Sequence, residues 1–120
     1  MQRDFILLNG PWYLYVAELA TYGVSNPTKI GISRNPEARM WNLDLGHLPL
    51  HLRATYEFQD RAAAQNIETL AIRGFRRFKR YKHLRPCREL VDATYFKVIQ
   101  KIDGLLSQQR GESEPMVPCL

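Results

Sequence analysis

Two cations stand ten residues apart in the stretch "TKIGISRNPEARMW": Lys29 at the start of a short apolar run and Arg39 just past a helix-start signal. The pair therefore spans a strand-to-helix turn. Arginine offers a planar fork suited to phosphate oxygens, and lysine can take a proton only in its neutral form. Upstream, Tyr13 and Tyr15 lie two apart in "WYLYVAEL" and so share one face of an extended segment. Taken singly, each residue has an ordinary reading. Lys29 is then a solvated cation, Arg34 and Arg39 pair with Glu37 or Asp44, and the tyrosines are core or cross-strand aromatics.

A second concentration of charge is the run "RGFRRFKRYKHLRPCR", with eight cations in sixteen residues, more than solubility requires. Its members Arg73, Arg76, Arg77, Lys79, Arg80 and Lys82, with Arg34 nearby in the first stretch, are candidates for contact with a nucleic-acid backbone. Such contacts release counterions and carry no base information. Phe75 and Phe78 in the same run belong to an apolar stripe, which leaves Tyr81 as its candidate for stacking on a base.

The elements that must position these groups are legible from pattern. "WYLYVAEL" (12–19) and "TKIGIS" (28–33) are rich in β-branched and aromatic types and predict two strands, joined through the turn chemistry of "TYGVSNP". Asn35 is a helix cap, Pro36 suits the first helical position and Glu37 the first turn, so a short helix is expected from 36 to about 44. "HLRATYEF" (51–58) predicts a third strand. Asp60 then caps a long helix through "RAAAQNIETLAIRGFRRFKR", with Ala64, Ile67, Leu70, Ala71, Phe75 and Phe78 at 3-and-4 spacing. "RELV" (88–91) adds a brief strand, and Asp92 caps a last helix carrying Val98, Ile99, Ile102, Leu105 and Leu106. The order is ββαβα with a C-terminal βα piece, an α+β domain over residues 1–109. Residues 110–120 are polar and bear Gly and Pro, as a disordered tail does.

Composition narrows the partners. With 120 residues the chain fits one core, and 17 basic against 12 acidic side chains leave a formal net charge of +5, which favours a polyanion. Two cysteines, one of them in the tail, argue against a disulfide framework and for a reducing, cytoplasmic setting. "FILL" is too short for a membrane span.

The ordered set of "YLYV", "KIG", an arginine ten residues after that lysine and a glutamate in the next long helix resembles the GIY-YIG nuclease superfamily. Within it, the chain is most similar to the phage and bacterial branch whose second triplet reads KIG. The resemblance covers roughly residues 12 to 103. It aligns Tyr15 with the tyrosine of the first motif, Lys29 with that of the second, Gly31 with its glycine, Arg39 with the first-helix arginine and Glu68 with the second-helix glutamate. Tyr13 occupies the place of the first motif's glycine, and "ELV" at 89–91 matches a Glu-aromatic-aromatic element without its aromatics.

The resemblance implies a small domain whose three-stranded central sheet is flanked by helices, and a DNA endonuclease that uses one Mg²⁺ or Mn²⁺. Glu68 would hold the ion, Arg39 would clamp the phosphate, and Lys29, alone or with Tyr15, would orient or deprotonate the attacking water. Tyr13 shares its strand face with Tyr15 and is the alternative tyrosine for the site. Two other classes stay open: a non-catalytic nucleic-acid-binding module with the same fold, and a phage- or plasmid-encoded inhibitor that binds a host protein.

Overall fold

The computed structural model describes residues 11–19, 27–43, 50–77 and 90–111. It is an α+β structure with one four-stranded antiparallel sheet and three helices. Strands β1 (Trp12–Leu19) and β2 (Thr28–Ser33) form a hairpin and are followed by helix α1 (Pro36–Leu43). Then come β3 (Leu50–Phe58), α2 (Arg61–Arg73), β4 (Leu90–Val91) and α3 (Tyr95–Gly111). The sheet order is β3-β1-β2-β4.

Strand β1 lies in the middle, and its run Leu14, Tyr15, Val16, Ala17 is buried throughout. A strand alternates sides, so an uninterrupted buried run means that both sheet faces are covered. On one face Leu14, Val16 and Ile30 meet Ile67 and Ala71 of α2, Val91, and Val98 and Ile102 of α3. On the other, Tyr15 and Ala17 pack with Met40 of α1 and with Leu50 and Leu52.

Strand β3 serves both faces because its pairing with β1 shifts by one residue. Val16 is opposite Ala54 while Ala17 is opposite Leu52, which leaves Arg53 as the extra residue of a bulge. Leu50 and Leu52 thus join the α1 side, and Ala54, Tyr56 and Phe58 join the α2/α3 side. On the latter side Arg53 grips Glu18 Oε1 through Nε (3.0 Å) and Nη2 (2.7 Å), and its guanidinium lies 5.0 Å from the Tyr95 ring centroid.

Four expectations need correction. The sheet has four strands, because Leu90 and Val91 pair with Lys29 and Thr28 at its edge. The long helix stops at Arg73 rather than near residue 80. The Gly74 N–H turns back to the Ala71 carbonyl at 3.1 Å, and the next residues are drawn to β4 instead, by an Asp92 N–H to Arg76 carbonyl bond of 2.8 Å and an Arg77–Val91 bridge. The last helix starts at Tyr95, with the Val98 N–H on the Thr94 carbonyl at 3.2 Å, so Asp92 does not cap it. It runs to Gly111, which takes residues 110 and 111 out of the expected tail. Lys79, Arg80, Lys82, Phe78, Tyr81, Asp44, Glu89 and residues 112–120 lie outside the described residues.

The caps of the first two helices are as read from sequence. Asn35 Oδ1 accepts from the Ala38 N–H (3.2 Å), and Asp60 Oδ1 accepts from the Ala63 N–H (2.9 Å). Among the described residues no helix is long and apolar enough to cross a membrane.

Candidate functional site

In the β1–β2 pairing Tyr13 stands opposite Ser33, Tyr15 opposite Gly31 and Ala17 opposite Lys29. Directly opposed residues of antiparallel strands point to the same side. Tyr13, Tyr15, Lys29 and Gly31 therefore occupy one face, the one that α1 covers. The Tyr15 ring lies across Gly31: a Cβ on that glycine would run into the Tyr15 hydroxyl and ring carbons. Glycine is needed here for close approach, and the aromatic ring in turn covers the backbone that glycine leaves bare.

Lys29 is only 3 % exposed, and its neighbour Thr28 is fully buried with its hydroxyl donating to the Ala93 carbonyl at 2.7 Å. An ammonium group is costly to remove from water unless it is paired. That condition is met, since no buried side-chain nitrogen or oxygen among the described residues lacks a hydrogen-bond partner.

A cleft of about 450 Å³ is lined by Tyr13, Arg34, Asn35, Pro36, Glu37, Leu52 and Thr55. A second hollow of about 590 Å³ continues along α1 past Glu37, Met40 and Leu52 to Arg53. Tyr13 thus lines the open cleft, while Tyr15 and Lys29 are buried. Arg39 is exposed on α1, one residue before Met40, which packs against the Tyr15 cluster.

Glu68 comes from the other layer. It follows Ile67, which packs against the opposite sheet face, and is itself half-buried.

Two acidic groups on the cleft side were not singled out from sequence as site residues. Glu37 lines both hollows, and Glu57, opposite Tyr13 in β3, shares that residue's face. The first was visible only as a favourable first-turn carboxylate, and the second depends on the register of a distant strand. Among the nucleic-acid candidates, Arg73, Arg76 and Arg77 are exposed at the C-terminal end of α2 and the segment beyond it. Arg34 has its guanidinium 5.3 Å from the Trp12 ring centroid. Trp12 itself gave no functional signal in the sequence.

No protein-family model, curated protein or solved structure matches this chain.

Proposed function

We propose that this chain is a divalent-metal-dependent nuclease of the GIY-YIG type that hydrolyses DNA phosphodiester bonds. The observation that carries the reading is Lys29, a lysine buried to 3 % exposure on the same sheet face as Tyr15, beside a helix that bears Arg39. Lysine is rarely buried even when it is paired, so its place on this face calls for a reason beyond solvation. A cytoplasmic location, with access to DNA, goes with this reading.

Cleavage of a phosphodiester builds negative charge on the non-bridging oxygens. The exposed Arg39 guanidinium is suited to hold two of those oxygens with parallel N–H bonds. Lys29, alone or with the Tyr15 hydroxyl, would orient the attacking water or, as the neutral amine, take its proton, a role worth about 10²–10⁴ in rate. Packing of Tyr15 against Gly31, Ala17 and Met40 restricts its ring, so little reorganisation accompanies reaction.

Glu68 would hold the ion, since a hard divalent cation takes a single carboxylate with waters and substrate oxygens. Among the described residues no three His, Cys, Asp or Glu side chains gather into a ligand set, so the substrate would have to supply much of that shell. When bound, the ion adds positive charge next to the phosphate.

The test is Glu68→Gln. An amide holds a hard cation poorly, so cleavage of duplex, single-stranded and branched DNA in Mg²⁺ or Mn²⁺ should fall by several orders of magnitude while the far-UV spectrum and metal-free DNA binding are kept. Parent-like cleavage by this variant would sink the catalytic reading. DNA binding by the parent without cleavage of any substrate would select the non-catalytic nucleic-acid-binding module.

A further inference from the structure

Three separate chain segments meet at one indole. Trp12 is the first residue of β1; Arg34 follows the last residue of β2; Arg61 is the first residue of α2. The Arg34 guanidinium carbon lies 5.3 Å and that of Arg61 5.5 Å from the Trp12 ring centroid. Both arginines are exposed, and Arg34 also lines the cleft with Asn35 and Pro36. Arg61 donates to the neutral Gln65 amide at 3.5 Å, while its neighbour Asp60 is occupied in capping the helix. Arg61 thus brings a full positive charge to the ring.

Two guanidiniums gathered at one ring repel each other, and a cation–π contact at an exposed site returns only a little of that cost. A phosphodiester backbone that sets one phosphate against each guanidinium removes that repulsion. The indole also restricts the two long side chains in advance, so less freedom is lost when they close on oxygens.

We propose that Arg34 and Arg61, held on Trp12, form a clamp for two phosphates that seats a nucleic-acid backbone at the mouth of the cleft. This rests on the nucleic-acid part of the reading above and not on the catalytic part. The clamp contacts phosphate only, so it is indifferent to base sequence.

The experiment measures binding of the full chain to a short mixed-sequence DNA duplex across a salt series. For the parent, log affinity falls linearly with log salt, by about 0.9 per phosphate neutralised. Arg34→Gln combined with Arg61→Gln should make that slope shallower by about 1.8, and Arg34→Lys with Arg61→Lys should leave it nearly unchanged. In a Trp41→Phe background Trp12 is the remaining tryptophan. Its emission should change when duplex is added and should stop changing in the double Gln variant.

Since the two arginines also tie the end of β2 and the start of α2 to β1, the single Gln variants are measured as well. Each should lose about 0.9 of slope, and they decide the matter if the double variant fails to fold. An unchanged slope in folded variants overturns the clamp and leaves the nuclease reading standing. Failure of the parent to bind duplex at any salt overturns both.

Discussion

At the residue scale the structure separates two glycines that look alike in sequence. A Cβ at Gly31 would strike the Tyr15 ring, which is itself packed in the α1-side cluster and has nowhere to go. Gly31→Ala should cost about 1–3 kcal/mol by overpacking, read as a lowered denaturation midpoint, and should abolish cleavage by displacing Tyr15. A Cβ at Gly74 would meet Lys101 Cε at 2.8 Å, the far end of a flexible and exposed side chain, and Gly74 has an ordinary helical φ of −78°. Gly74→Ala should leave stability unchanged or raise it by up to about 1 kcal/mol, because alanine restricts the unfolded chain. A Gly74→Ala protein destabilised as much as Gly31→Ala would show that the two contacts do not differ in this way. Lys29→Met keeps the length of the side chain and removes the amine, so cleavage should drop about 10²–10⁴-fold with DNA binding retained. Parent-like activity would reduce Lys29 to a paired core cation.

At the element scale the helix starts are local and the ends are not. Asp60→Ala removes the bond to the Ala63 N–H, and thermal melting should register a loss of about 0.5–2 kcal/mol. Loss of less than a few tenths would mean that α2 is held almost wholly by Ile67 and Ala71 in the core. The end of α2 depends instead on β4, which engages the backbone of Arg76 and Arg77. A window of sequence sees arginines and lysines with good helix propensity; it does not see a two-residue strand arriving from beyond residue 89. The Asp92 cap fails for a related reason: its backbone stays with the strand pairing through its bond to the Arg76 carbonyl, and the helix starts only at Tyr95, three residues on.

At the scale of the whole molecule, β3 is joined to α3 by the Tyr56 hydroxyl, which donates to Asp103 Oδ1 at 3.2 Å. Burial, helped by the charge of Asp103 and by this hydrogen bond, pushes the Tyr56 phenol up to about 12 from 10.0. A phenol whose folded value is raised holds its proton longer in the native state than in the unfolded one. Its contribution is therefore fully present below pH 10 and is lost as pH rises toward 12. Denaturant titrations should show stability falling through that window, and Tyr56→Phe should flatten the fall. An equal fall in Tyr56→Phe would assign alkaline loss to other groups.

Strand spans, the caps of the first two helices and the common face of Tyr13 and Tyr15 were legible because they rest on short-range rules: alternation along a strand and a side-chain oxygen three residues before an N–H. The same rules cannot register the bulge at Arg53, which turns one evenly alternating segment into the floor of two cores, nor the pairing of β4 with β2. They also missed the meeting of Trp12, Arg34 and Arg61, and the arrival of Glu57 opposite Tyr13. Each of those joins residues more than twenty positions apart. Such contacts exist only after the chain has closed its long loops and buried β1 on both faces, so the packed structure alone determines which charges share the cleft.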